Sequence, residues 1–196
     1  MRKDLTSSLV AVVALTVIFG LAYPLVITGI SQVVFPNKAD GSQVRQNGKV
    51  VGSSLLGQDF SADHSLFQTR PSPTGDNPAG TAFSNLGPNS KDLRDNLAKY
   101  TRTYLRLNAP YNPGLTRAQI PPDAVQTSAS GVDPHISVAN ARIQAGRVAA
   151  RNRLSKAKVL ALVEANTDDR SLGVFGEPGV NVLDLNLALD KEAPQA

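Results

Sequence analysis

The clearest pattern along the chain is one apolar run near the N-terminus. From Leu9 to Ile30 there is no charged side chain, and the only hydroxyls are Thr16, Tyr23 and Thr28. At about 1.5 Å of rise per residue, a helix of this length spans the roughly 30 Å hydrocarbon core of a bilayer. No later segment is long enough to repeat this. The pattern predicts a short cytoplasmic N-terminus over 1–8, a transmembrane helix over 9–35 and one extracytoplasmic domain over 36–196. Orientation follows from the flanks. Arg2 and Lys3 precede the run and are offset only by Asp4, whereas the next charges are Lys38 and Asp40. Excess positive charge marks the cytoplasmic side. A cleaved signal peptide is disfavoured, because the run is long for an h-region and ends at Gln32-Val33-Val34-Phe35-Pro36, without an A-x-A pattern.

Beyond the anchor the pattern changes to short mixed elements. Asn47-Gly48 lies between Val44 and Val50-Val51 and predicts a β-hairpin with a type I′ turn. Residues 61–90 are rich in Ser, Pro, Gly and Asn, and Pro71, Pro73, Pro78 and Pro88 interrupt any regular element. They predict a long ordered loop anchored by Phe60, Phe67 and Phe83. Leu93, Leu97, Tyr100 and Tyr104 recur at helical spacing, with Asn89 or Ser90 as cap and Pro110 and Pro113 ending the helix. Pro121-Pro122-Asp123 predicts a turn. The polar stretch from Thr127 to Ser137 predicts a loop that opens a second helix, capped by Asp133 or Ser137 and running to about Leu154.

On that helix Val138, Ala141, Ala145 and Val148 form the expected inner face, with Gln144, Arg147 and Arg151 on another. Ser155 predicts the cap of a further helix that turns Val159, Leu160 and Val163 inward. Leu183, Leu185, Leu187 and Leu189 alternate with Asp184, Asn186, Ala188 and Asp190. Strict period two predicts a half-buried strand. The fold class expected is α+β, one small sheet with helices packed on it.

Composition adds exclusions. The net charge is +4, and without Arg2, Lys3 and Asp4 the chain holds 18 basic and 15 acidic residues. That balance is no footprint for nucleic acid. There is no cysteine, which removes disulfides and thiolate metal sites and suits a bacterial envelope protein. His64 and His135 are the only histidines, and no metal-ligand spacing such as H-E-x-x-H occurs, so no metal site is expected.

Ser128, Ser130, Asp133 and His135 have the residue types of a nucleophile, base and orienter. Neighbours in one turn seldom orient that way, so a capping loop is the better reading. Ser128-Ala129-Ser130-Gly131 before a helix could hold an anion, but it lacks the Lys and Gly spacing of a P-loop. Arg142, Arg147, Arg151 and Arg153 predict a basic surface, either solvated or a partner interface. In the anchor, Tyr23-Pro24 is a kink candidate, and Thr28 and Gln32 follow Pro24 at i+4 and i+8. With Gly20 and Gly29, these residues suggest packing against other membrane helices. The partner-interface candidates are Tyr23, Pro24, Thr28, Gln32, Asp133, His135, Arg147 and Arg151.

Taken in order, several motifs resemble the C-subunit (KdpC) family of the bacterial Kdp potassium-transporting P-type ATPases. They include Tyr23-Pro24-Leu25 with Thr28-Gly29, Gln32 and Phe35-Pro36 in the anchor, then Gly41-Ser42, Gly52-Ser53 and Leu56-Gly57-Gln58. Phe67 with Arg70-Pro71-Ser72 and Ser84-Asn85-Leu86-Gly87-Pro88 follow. The densest match is Ser130 to Ser137, with Gln144, Arg147-Val148-Ala149 and Arg151 downstream, and the last are Gly176-Glu177-Pro178 and Asn181 to Leu189. The chain departs at Ala129, where the family usually has glycine, at Gly179, often arginine, and at Asn166, often histidine.

The resemblance implies a non-catalytic subunit of a four-part pump that takes up potassium at the expense of ATP. The implied partners are a channel-like ion-selecting subunit, a P-type ATP-hydrolysing subunit and a small single-helix subunit. It also implies a role in holding the complex together and in raising the ATP affinity of the hydrolysing subunit. There the serine-glycine loop (Ser128, Ser130, Gly131) and Gln144 would contact the nucleotide, ATP being the only cofactor implied and none being stably bound. The charge flanks place those residues outside, whereas ATP is cytoplasmic, so an indirect effect through the membrane helices is the expectation favoured here. An anchored hydrolase using Ser130 and His135, or a scaffold of another envelope complex, are the alternatives. The polar residues in the anchor favour a membrane partner and disfavour the hydrolase.

Overall fold

The computed structural model describes residues 2–193, so Met1 and the 194–196 end of the expected domain lie outside the described residues. By internal contacts the chain divides into two compact units, Met1–Ser53 and Ser54–Ala196.

The first unit is built on the apolar run. A helix runs from Arg2 to Val34, 33 residues, long and apolar enough to cross a membrane. It consists of α1 (Arg2–Val17), a π-helical turn over Ile18–Ala22 and α2 (Tyr23–Val34). The Tyr23 N–H bonds to the Ile18 carbonyl, and Pro24 follows directly. Pro24 has no N–H to continue the ladder and its ring crowds the turn before it. Widening that turn by one residue accommodates the proline without ending the helix. A short α3 (Pro36–Ala39) leads to the hairpin of β1 (Gln43–Gln46) and β2 (Lys49–Ser53). Gln46 pairs with Lys49, and Asn47 and Gly48 take φ of +52° and +78°, which are the values a type I′ turn requires.

The second unit is α+β. From Ser54 to Ser90 there is no helix or strand, as the prolines predicted. Phe67 is fully buried in the core and Phe60 packs against it, but Phe83 is 54% exposed and lies outside the core cluster. Helix α4 (Lys91–Asn108) starts at Ser90, whose hydroxyl accepts from the Leu93 N–H. α5 (Val138–Arg151) and α6 (Lys156–Ala165) start at Ser137 and Ser155 in the same way.

Two sheet expectations need correction. The 183–189 segment is not a strand but lies in α7 (Val182–Glu192). Its buried positions are Val182, Leu183, Leu185, Asn186 and Leu189, of which Val182, Leu185, Asn186 and Leu189 follow i, i+3, i+4, i+7. The Asn181 side chain caps it by accepting from the Leu183 and Asp184 N–H groups, Asp184 lies in the first turn and Lys191 in the last. Leucine at every second position satisfies both periods. The cap, the helix dipole and leucine's helical propensity favour the helix.

There are also two sheets rather than one. In the second unit a three-stranded antiparallel sheet has the order β3 (His135–Ser137), β5 (Gly179–Asn181), β4 (Thr167–Asp168). Two or three residues are too few to show a period. The core lies between this sheet and α5, α6 and α7, with Ile136, Ala141, Ala145, Val148, Val159, Val163, Val180 and Leu185 at its centre.

Candidate functional site

The loop before α5 is shaped by glycine and serine. Gly131 takes a φ of +76°, which suits a residue without Cβ. A Cβ there would come within 2.8 Å of Thr74 Oγ1 and 2.9 Å of the Ala82 carbonyl oxygen. The buried Ser128 hydroxyl accepts from the Gly131 N–H at 2.8 Å, and Ser130 Oγ from the Val132 N–H at 3.2 Å. The Gly131 carbonyl accepts from the Ser72 and Thr74 hydroxyls, the Ser130 carbonyl from the Ala82 N–H and the Val132 carbonyl from the Gly57 N–H. The loop is thus held against the proline-rich 54–90 segment on its own backbone.

Asp133 does not cap α5. Its Oδ1 accepts from the His135 N–H, and its Oδ2 lies 3.0 Å from Arg70 Nη1. Arg70 Nη2 reaches the Thr127 carbonyl, and its buried Nε has no partner. The cap is Ser137, which donates to Asp123 Oδ1 while its own N–H donates to Asp123 Oδ2. Asn140 Nδ2 reaches the same carboxylate at 2.9 Å. Asp123 therefore places a negative charge at the N-terminus of α5, where the helix dipole favours it. Fourteen residues separate it from Ser137, and no local pattern reveals the pairing.

Gln144 and Arg147 do not lie on a solvated face, nor does Arg147 belong to a basic surface. Both are 1% exposed, whereas Arg142, Arg151 and Arg153 are exposed. Of the face that carries Gln144, Arg147 and Arg151, only Arg151 is exposed, and the first two meet the end of α4 and the 54–90 segment. The Gln144 amide is fully used: Oε1 accepts from the Gln68 N–H and Arg147 Nη2, and Nε2 donates to the Gln68 carbonyl and Asn140 Oδ1. Asn186 of α7 clasps Phe67 likewise, accepting from its N–H and donating to its carbonyl. Two side-chain amides thus do for 67–68 what a neighbouring strand would do.

Arg147 donates to Asn108 Oδ1, Gln144 Oε1 and the carbonyls of His64 and Leu66. None of these partners is a carboxylate. Burial holds its pKa down to about 10, opposed by Tyr104 and Tyr111, and it remains charged at neutral pH. Tyr104 donates to Asn140 Oδ1, and burial, then the Asp123 charge, raises its phenol.

A cleft of about 330 Å³ opens beside this network, lined among others by Gln68, Arg70, Asp76, Tyr100, Tyr104 and Gln144. Burial pushes Asp76 up to about 6, with the Thr69 hydroxyl opposing and the Asp59 charge adding to it. A second hollow of about 370 Å³ touches Ser128 and Ala129. His135 lies 3.4 Å from Asp168 through Nε2, and among the described residues no hydrogen bond joins it to Ser128 or Ser130. The serines accept from backbone N–H groups in the manner of capping loops, so the types of a triad are present without its geometry.

The structure thus groups Ser128, Ser130, Gly131 and Asp133 in one braced loop and sets Gln144 and Arg147 in a separate buried network. Sequence reasoning missed Asp123, Asn108 and Asn186, each of which is bonded across long stretches of chain. Tyr23, Pro24, Thr28 and Gln32 are exposed along the first unit, where Gln32 Nε2 donates to Asp40.

A sequence model described as "KdpC: K+-transporting ATPase, c chain" matches residues 5–191. Three relatives share the name "Potassium-transporting ATPase KdpC subunit". The protein of Methylibium petroleiphilum is 46% identical over 99% of this chain and 100% of its own length. That of Caulobacter vibrioides is 45% identical over 99% and 96%. That of Rhodospirillum rubrum is 44% identical over the whole of both chains. Likeness of this extent, spanning the anchor, the braced loop and the buried network alike, makes the chain a member of the KdpC family, the C chain of potassium-transporting ATPases.

Proposed function

We propose that this chain is a non-catalytic accessory subunit of an ATP-driven potassium-uptake pump. It holds the ion-selecting and ATP-hydrolysing subunits together and raises the ATP affinity of the latter without touching the nucleotide. The N-terminus lies in the cytoplasm, the helix crosses the cell membrane once and the domain stands outside. The observation that carries the indirect route is the filled hydrogen-bonding capacity of Gln144. Its two N–H donors and its oxygen are all bonded within the chain, so a nucleotide contact would have to break bonds that hold the 54–90 segment. The Ser128 and Ser130 hydroxyls each accept a backbone N–H of their own loop. An outer domain can act on a cytoplasmic site if its binding differs between two states of the whole assembly.

The test is purification on a C-terminal tag from potassium-starved cells in mild detergent. Co-elution of a P-type ATPase subunit and a channel-like subunit, with potassium-stimulated ATP hydrolysis, is expected. Elution alone or with unrelated envelope proteins refutes the assignment. Because the chain has no cysteine, Ala129→Cys supplies a single exposed thiol. A membrane-impermeant maleimide should label it in intact cells, and labelling only after permeabilisation refutes the external placement.

A further inference from the structure

Residues 168–177 are exposed without interruption. Within them Ser171 and Phe175 exchange backbone hydrogen bonds of 2.9 and 3.0 Å and close a small hairpin between β4 and β5. Its tip carries Leu172, Val174 and Phe175, which are 90%, 67% and 65% exposed, the most conspicuous apolar cluster on the surface of the second unit. Lone exposed apolar residues are ordinary, whereas three on one four-residue tip form a patch.

The tip is also held in a costly form. Leu172 takes a φ of +55°, a region that a branched, bulky residue rarely enters, followed by Gly173 at +76°. A local conformation of that kind persists when the surroundings fix it, and it points to function. Here the surroundings are the backbone pair and a clamp at the base, where Arg170 Nη2 lies 2.8 and 2.7 Å from the two carboxylate oxygens of Glu177. Asn or Gly at 172 would relax the backbone, but neither would present an apolar side chain there.

Charge selects the occupant. The base of the hairpin carries Asp168, Asp169 and Glu177 against Arg170, an acidic excess on a chain whose net charge is +4. An anionic lipid surface would be repelled by that excess, and the tip offers neither the Trp nor the Tyr of an interfacial anchor. A protein pocket with an apolar floor and a Lys/Arg rim matches both features.

We propose that the 170–177 hairpin is a docking knob that inserts Leu172, Val174 and Phe175 into an apolar, basic-rimmed pocket on another subunit of the potassium-transporting ATPase. This rests on the accessory-subunit reading given above.

The experiment uses the full chain in the assembled complex in native membranes. Val174→p-benzoylphenylalanine should give, on irradiation, a covalent adduct with another ATPase subunit, mapping to a peptide that contains apolar residues and Lys or Arg. Leu172→Asn with Phe175→Ser should weaken retention of the co-purifying subunits about tenfold or more, within the range for truncated anchors at interfaces. The thermal unfolding of the chain itself should not fall, because these side chains contribute nothing to its core. Asp169→Lys with Glu177→Lys should weaken retention too, and more so at low salt. An adduct with lipid only, no adduct, or full retention of the subunits by the tip variant overturns the docking knob while leaving the accessory reading intact. A parent chain that co-purifies with no ATPase subunit overturns both.

Discussion

Arg147 is a cation in the core with no carboxylate among its hydrogen-bond partners, and its replacement by methionine is the sharpest test of how the second unit is held. The side chain is 1% exposed and makes four hydrogen bonds to neutral acceptors. Bonds from a charged donor contribute about 1.5–3 kcal/mol each, so four give roughly 6–12 kcal/mol. Against this stands the desolvation of a buried ion, which costs on the order of several kcal/mol. Arg147→Met removes both and keeps the volume. It leaves the His64 carbonyl and Asn108 Oδ1 without the donor, whereas Leu66 O and Gln144 Oε1 keep the bonds from Gln68.

The expected net loss is about 2–6 kcal/mol, the cost of leaving two buried neutral acceptors without a donor at about 1–3 kcal/mol each. For a chain of this length each kcal/mol moves the midpoint by about 2–4 °C, so the Tm should fall by about 10 °C. The assay is far-UV circular dichroism on the full chain in detergent, with the exposed Arg142→Met as a control expected within about 1–2 °C of the parent, as for ordinary surface substitutions. A Tm for Arg147→Met equal to or above the parent's would mean that desolvation outweighs the bonds, and the reasoning would fall. Arg147→Lys should also lose stability, because one ammonium cannot span two loop carbonyls and two amide oxygens on separate elements.

Asp76, pushed up to about 6, binds its proton more tightly in the folded chain than in the unfolded one, so its contribution is fully present below about 3.8 and is lost as the pH rises through about 6. Asp76→Asn should flatten that part of the stability profile, by on the order of 1 kcal/mol after solvent screening of a half-exposed group, read from urea midpoints at pH 4 and pH 7. Gly57→Ala sets a Cβ 2.8 Å from the Asp133 carbonyl oxygen, and the unfolding midpoint should drop by the equivalent of about 1–3 kcal/mol. An unchanged midpoint would mean that the loop moves aside freely. Asn186→Leu orphans the N–H and carbonyl of the fully buried Phe67. Limited proteolysis should then cut residues 54–90 many times faster than in the parent, and equal rates would show that the clasp is dispensable.

The elements legible in the sequence are those whose signals are local. The anchor, the Asn47-Gly48 turn and the serine caps of α4, α5 and α6 each declare themselves within a few residues. Alternating leucines in α7 misled because burial of 182, 183, 185, 186 and 189 depends on which neighbours the helix meets. The strands of the second sheet are too short to carry a period. At the site, glycine at 131 and the serine turns were legible as a loop. The partners that give it meaning were not: Gln144 meets Gln68 across 76 residues, and Asn186 meets Phe67 across 119. A polar residue at helical spacing reads as surface until something polar is seen to cover it, as here with Arg147.

The π-helical turn before Pro24 changes how the anchor must be read. One residue inserted into a turn advances everything beyond it by one residue's worth of rotation, about 100°. A helical wheel drawn straight through residues 18–22 therefore misassigns the azimuth of Thr28 and Gln32 relative to Thr16. Within α2 the stripe of Pro24, Thr28 and Gln32 is intact, but it faces about a quarter-turn away from where the spacing to Thr16 alone would put it. The two halves of the span present different compass bearings to their surroundings, and scanning mutagenesis of the helix should yield two short periodic patterns out of phase with each other rather than one continuous stripe.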